Sequence, residues 1–166
     1  MLKKAVFLDR DGVLNKDFGY VHKIRDIKWV DGAIDTIKLF NKLNYLVFVV
    51  TNQSGIAKGL YSEKDVNLLH NYINSELQII SAHIDEFFFS PFHPDNSKEY
   101  LHLSHLRKPE IGMLELAESK WAIDKSKSFL IGDKSSDIEC AENFSIRGHL
   151  FKKGNLLNFI KSSENF

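Results

Sequence analysis

The chain predicts an α/β fold built on a parallel sheet covered on both faces. Two observations carry this expectation. Apolar runs of strand length alternate with amphipathic stretches of helix length along the chain, the pattern of parallel strands joined by crossover helices. The chain has 166 residues and no repeat, low-complexity tract or linker, which suits one domain over 1–166 with a sizeable core.

The elements follow in order. Residues 4–9 read as the first strand, with Ala5, Val6, Phe7 and Leu8 as its apolar run, and 32–43 as the first helix. Residues 45–51 hold the longest apolar run and form the second strand. The second helix is expected over 63–81, where Val66, Leu69, Ile73, Leu77 and Ile80 recur at helical spacing behind Ser62, a suitable N-cap. Strands at 86–90, 128–131 and 147–151 alternate with helices at 111–121, 135–144 and 155–161. Residues 15–30 and 91–109 lack clear periodicity. Loops of that length in a compact domain usually carry function, and neither is long enough to be a separate cap.

Composition narrows the class. The chain is 43% hydrophobic and 27% charged, with a formal net charge of zero and no Lys/Arg block. This gives no footprint for nucleic acid or an anionic membrane. The single cysteine, Cys140, excludes an internal disulfide framework and fits a reducing compartment. In a helix it is expected to be a buried, inert thiol. The apolar stretch after Lys3 and Lys4 breaks at Asp9, too short for a signal peptide. A cytoplasmic protein, most simply a monomer, is expected.

Four polar clusters follow strand ends or precede helices. Asp9 and Asp11 leave the first strand together, with Gly12 allowing an immediate turn. One carboxylate there can attack an electrophile or hold a metal while the other moves a proton; a plain polar turn explains the pair equally well on its own. Thr51, Asn52, Gln53, Ser54 and Gly55 follow the second strand. They can cradle phosphate oxygens or simply cap a helix. Arg107, Lys108 and Pro109 place a guanidinium fork and a point charge before a helix that Pro109 is suited to start. Gly132, Asp133, Lys134 and, one turn on, Asp137 close the fourth strand. Asp133 can complete a magnesium site, or the acids can serve the helix N-terminus. A single phosphoryl-transfer site would explain why all four fall on one rim of one sheet.

The order of acidic pair, Thr, Lys and acidic pair resembles the haloacid dehalogenase (HAD) superfamily of phosphatases over almost the whole chain. Within it, Leu8–Val13, Asp17-Phe18-Gly19-Tyr20-Val21, Thr51–Ala57, Arg107-Lys108-Pro109 and Gly132-Asp133-Lys134 resemble the D-glycero-D-manno-heptose 1,7-bisphosphate 7-phosphatases. The histidinol-phosphate phosphatases are their nearest relatives and the alternative. The resemblance implies a HAD-like Rossmannoid three-layer sandwich without a cap domain. It implies Asp9 as nucleophile, Asp11 as acid and base, and Thr51 and Lys108 on the transferring phosphoryl group. Mg2+ would be held by Asp9, the Asp11 carbonyl and Asp133, with Asp137 orienting Lys108 or a metal-bound water. Asp17, Phe18, Gly19, Tyr20, Asn52, Gln53, Ser54, Arg107 and Lys134 would meet the rest of a phosphorylated sugar.

The chain departs from the family at a zinc loop. The positions that usually carry Cys-x-His and Cys-x-Cys here read Ser90, Phe92, Ser104 and Leu106. Zinc needs four good nitrogen or sulfur donors, so no zinc is expected, although His93, His102 and His105 lie nearby. Packing by Phe92, Tyr100, Leu101, Leu103 and Leu106 is expected in its place. A phospho-receiver domain also groups acids, a Thr and a Lys around an aspartate. Its acidic pair usually lies away from the phosphorylated strand end, whereas here the pair flanks one residue.

Overall fold

The computed structural model describes residues 1–96 and 98–164. Its centre is a five-stranded, all-parallel sheet in the order β3-β2-β1-β4-β5, formed by β1 (Ala5–Leu8), β2 (Leu46–Asn52), β3 (Glu86–Ser90), β4 (Phe129–Gly132) and β5 (Arg147–Leu150). The helices between and after them are α1 (Ala33–Lys42), α2 (Glu63–Ile79), α3 (Gly112–Lys120), α4 (Ser135–Asn143) and α5 (Leu156–Ser163). Each expected strand and helix is present, with boundaries shifted by one or two residues.

Successive side chains of a strand point to opposite faces, and β1 shows the result. Val6 and Leu8 join Ile37 and Phe40 of α1, Leu69, Ile73 and Leu77 of α2, and Leu156 and Ile160 of α5. Ala5 and Phe7 face the other way, onto Met113, Leu114 and Ala117 of α3 and Cys140 and Ala141 of α4. Helices therefore cover both faces, giving the three layers. Ser62 caps α2 as expected: its Oγ accepts from the Asp65 N–H at 3.3 Å while the Asp65 carboxylate accepts from the Ser62 N–H at 2.8 Å.

The two irregular segments hold more order than the pattern suggested. Each contains a short 3-10 turn, Ile24–Asp26 and Leu101–Leu106. The emptied zinc positions lie at the end of β3 (Ser90) and in the segment after it (Phe92, Ser104 and Leu106), which is packed partly as expected. Leu106 is buried, and Leu103 and Tyr100 lie against buried clusters. Leu101 is a correction: it is 61% exposed and contributes no core. Pro109 is another. α3 begins only at Gly112, so Pro109 stands in the preceding turn, where Glu110 N–H donates to the Arg107 carbonyl at 2.9 Å. Among the described residues, no helix is long and apolar enough to cross a membrane.

The sheet order makes β1 the point where the chain reverses direction across the sheet. β2 and β3 lie to one side of it, β4 and β5 to the other. Crevices open at such points, beyond the carboxyl ends of the strands.

Candidate active site

A cleft of about 590 Å³ lies at that point, lined by Asp9, Asp11, Asp17, Gly19, Tyr20, Thr51, Asn52, Gln53, Ser54, Arg107, Lys108, Lys134 and Asp137, with Tyr61, Pro109 and Ser136. Residues more than a hundred positions apart meet because β1, β2 and β4 are adjacent and parallel. Asp9 follows β1 directly and its N–H continues the ladder to β4, donating to the Ile131 carbonyl at 2.9 Å. Two expected site residues, Phe18 and Asp133, are not in that lining; Asp133 stands beside Asp9 and Asp137, whereas Phe18 lies apart. It is 60% exposed, with the Lys28 ammonium 5.5 Å from its ring centre.

Lys108 organises the floor. Its Nζ donates to the Val50 carbonyl at 2.8 Å and pairs with Asp9 Oδ1 at 3.1 Å and Asp137 Oδ1 at 2.5 Å. All three side chains are buried. Burial opposes the ammonium charge, but Asp9 and Asp137 outweigh it and hold the lysine pKa above its ordinary range. Its backbone is clamped as well. Asn52 Nδ2 donates to the Lys108 carbonyl at 3.1 Å, and the Lys108 N–H donates to Asn52 Oδ1 at 3.0 Å. This clamp, rather than a helix begun by Pro109, positions the lysine.

Asp9, Asp133 and Asp137 bring carboxylate oxygens within 4.8 Å of one another, the one group of three His, Cys, Asp or Glu ligand atoms that close among the described residues. Burial pushes Asp9 up to about 7, against the pull of Lys108, with Asp137, Asp11 and Asp133 adding repulsion. Burial also raises Asp133. Asp133 Oδ1 is buried without a hydrogen-bond partner. Crowded, desolvated carboxylates with an unpartnered oxygen are what a hard dication relieves, so the donor set fits magnesium. Asp137 is otherwise engaged. Its Oδ2 accepts the N–H groups of Asp133 and Lys134 at 3.1 and 3.0 Å, capping α4, while Oδ1 pairs with Lys108. His93, His102 and His105 belong to no such group. His93 Nδ1 accepts from the Asp95 N–H at 3.2 Å.

The Asp11 carboxylate sits in a web of donors. Oδ1 takes Asn15 Nδ2 at 2.9 Å and Arg10 Nη2 at 3.1 Å. Oδ2 takes Arg10 Nη2 at 3.0 Å and Gln53 Nε2 at 2.9 Å. Arg10 is fully buried, and also donates to the Val21 carbonyl at 2.5 Å. Asn52 and Gln53 line the cleft, and their side-chain amides are also engaged inside the protein, with Lys108 and with Asp11. Of the residues in this web, Arg10 and Asn15 were not singled out from the sequence, nor were His70, 3.2 Å from Arg10 Nη1, and Tyr61, whose hydroxyl donates to Gln53 Oε1 at 2.7 Å. Only the adjacency of Arg10 to the acidic pair hinted at any of them.

The rim carries the remaining charge. Lys134 Nζ lies 4.0 Å from Asp17 Oδ2, and Lys58 Nζ donates to the Tyr20 hydroxyl at 2.7 Å. Arg107 Nη1 donates to the main-chain carbonyl of Phe92 at 3.1 Å, tying the 91–106 segment to the cleft. Cys140 is apart and inert. Burial pushes its thiol up to about 12, and Sγ donates to the Glu110 carbonyl at 3.2 Å.

The chain is similar to known phosphatases over most of its length. The model of the family described as "Polynucleotide kinase 3 phosphatase" matches residues 5–166. The D-glycero-beta-D-manno-heptose-1,7-bisphosphate 7-phosphatase of Rhodopseudomonas palustris is 40% identical over 161 residues, covering 96% of this chain and 89% of that protein. The D-glycero-alpha-D-manno-heptose-1,7-bisphosphate 7-phosphatase of Photorhabdus laumondii is 41% identical over 153 residues, 91% of this chain and 84% of that one. Among solved structures, the D,D-heptose 1,7-bisphosphate phosphatase of B. bronchiseptica, complexed with magnesium and phosphate, superposes with a TM-score of 0.79. It is 26% identical and covers 96% of this chain and 86% of that one.

Proposed function

This chain belongs to the D-glycero-D-manno-heptose-1,7-bisphosphate 7-phosphatase family, and we propose that it is a magnesium-dependent phosphatase removing the C7 phosphate of the heptose bisphosphate through an aspartyl-phosphate. The observation that carries the chemistry is the buried Asp9–Lys108 pair at the end of β1, with Asp11 two residues on and an Asp133 carboxylate oxygen within 4.8 Å of one from Asp9.

Asp9 attacks phosphorus through a carboxylate oxygen. The bond from phosphorus to the sugar oxygen breaks, and Asp11 gives that oxygen its proton. Water then attacks the aspartyl-phosphate, Asp11 takes the water's proton, and the phosphorus–Asp9 bond breaks to release phosphate. Splitting one displacement into two and assisting both with a positioned acid/base is standard phosphatase logic. Lys108 and Thr51 bind the transferring phosphoryl oxygens. Asp9, Asp133 and the Asp11 carbonyl would hold Mg2+, which supplies charge neutralisation between an anionic nucleophile and an anionic substrate. Asp137 holds Lys108 in place.

Arg107, Lys134, Asp17, Gly19, Tyr20 and Ser54 line the cleft and are the residues proposed to contact the rest of the substrate, and the two rim cations suit a second phosphate. The positions of the zinc set hold Ser90, Phe92, Ser104 and Leu106; packing and the Arg107–Phe92 clip support a loop that holds without structural zinc. The phosphorylated sugar is the partner this site calls for. The test is a panel of heptose 1,7-bisphosphate anomers, other sugar phosphates and histidinol phosphate, assayed with Mg2+ and followed by 31P NMR. Loss of the C7 signal with the C1 signal retained is expected. Preference for histidinol phosphate would replace the substrate and keep the chemistry.

A further inference from the structure

We propose that Tyr61 is a positioning residue for both Asp11 and Thr51, acting through the side-chain amide of Gln53. This rests on the reading of Asp11 as acid and base. The Tyr61 hydroxyl donates to Gln53 Oε1 at 2.7 Å, and Gln53 Nε2 donates to Asp11 Oδ2 and to Thr51 Oγ1, each at 2.9 Å. Both amide hydrogens and the amide oxygen are thereby engaged.

Asp11 accepts only, so it requires Nε2 of the amide, and the tyrosine hydroxyl anchors the amide's other end through Oε1. A hydroxyl donating to Oε1 leaves Nε2 to face Asp11. Without that hydroxyl the amide oxygen loses its partner, and Nε2 is held less firmly against Asp11 and Thr51. Burial pushes the Tyr61 pKa up to about 12, so the hydroxyl keeps its proton. The same amide sets Thr51. Because Oγ1 accepts from Gln53, its own proton is directed elsewhere and is available to a phosphoryl oxygen.

The tyrosine ring is built into place for this. His22 stacks on it with ring centres 4.6 Å apart and 15° between planes. Gly55 lies against it so closely that a Cβ there would overlap ring atoms. The ring packs with Ile56 and Val66. Loop, glycine and hydroxyl thus converge on one amide.

The test uses the whole 166-residue chain with Mg2+. Tyr61→Phe keeps the ring and removes only the hydroxyl. We expect kcat on the sugar bisphosphate to fall about tenfold, within the usual contribution of a positioned acid/base, with KM and melting temperature unchanged. With p-nitrophenyl phosphate the leaving group needs little protonation, so formation of the aspartyl-phosphate should be spared while its hydrolysis slows. Rapid mixing should then reveal a burst of p-nitrophenol approaching one per chain, which general loosening of the site would not produce. Gln53→Leu should lose at least as much, and the double variant should be no worse than Gln53→Leu alone. Parent-like kcat without a burst, a change confined to KM, or losses that multiply in the double variant would each overturn the proposal. Asp11→Asn, assayed in parallel, separates the two readings. If it stays active, the acid/base assignment falls as well. If it is inactive while Tyr61→Phe matches the parent, only the tyrosine's role falls.

Discussion

Nη1 of Arg10 lies 3.2 Å from Nε2 of His70, with both side chains buried. A guanidinium has no acceptor and keeps its proton in proteins, so His70 accepts through Nε2 and carries its single proton on Nδ1. Burial, and then the Arg10 charge, hold the His70 pKa well below the ordinary histidine range. The ring also stacks on Phe87 at 4.5 Å.

A pH dependence of stability follows. In the unfolded chain His70 titrates near pH 6.5, as a free histidine does. The folded protein refuses that proton, so the unfolded state binds more protons as pH falls below that value, and stability declines. Above it the contribution is fully present. Denaturation at about pH 7 and pH 5 should show a fall in the parent that is smaller in His70→Gln. Equal pH dependence in the two proteins would refute this.

Asp9→Asn should leave less than about a hundredth of parental turnover, since an amide cannot serve as the carboxylate nucleophile. Burial disfavours the Asp9 charge, so the melting temperature should not drop. Phosphate release and thermal unfolding check the two halves. Retained turnover would remove Asp9 from the chemistry.

Metal removal should stop turnover without unfolding the chain. EDTA should abolish activity, added Mg2+ should restore it, and circular dichroism should stay constant. Asp133→Asn should raise the Mg2+ concentration needed for half-maximal activity, because it weakens a hard oxygen donor. Gly12→Ala should do likewise and cost about 1 kcal/mol or more of stability. Gly12 has φ +88°, and a Cβ there would run into the Asp133 carboxylate. Elemental analysis should find no stoichiometric zinc.

Arg107 and Lys108 are neighbours with different expected tasks. Lys108→Ala should cut kcat on every substrate and destabilise the fold, because it leaves Asp9 and Asp137 buried without their cation. Arg107→Ala should raise KM for a bisphosphate well above its effect on a monophosphate. Equal effects on both substrates would show that Arg107 does not bind a second phosphate.

The fold was legible because its signals are local. Val66, Leu69, Ile73 and Leu77 mark α2 by spacing, and Ser62 marks where it starts. Asp9, Asp11, Thr51 and Asp133 were legible as candidates because each stands at or just after a strand end, and Lys108 through its place in Arg107-Lys108-Pro109, although no helix starts there. The web behind them was not. His70 reads as one more polar residue on α2, and nothing in its neighbourhood points sixty positions back to Arg10. Tyr61 reads as a residue before a helix cap. Their parts depend on depth and direction, which arise only when β1, β2 and α2 pack together. Leu101 misled for the related reason that apolar character does not assign a side to a short turn.

The clip from Arg107 to Phe92 bears on how this loop can evolve. A main-chain carbonyl persists whatever side chain stands at position 92. Substitution there leaves the acceptor in place, so variation can accumulate without an immediate loss of grip. A loop organised around a chelated ion has no such latitude, since each donor is needed. Tolerance to drift at 92, set against intolerance at 107, is the signature this arrangement should leave in a mutational scan.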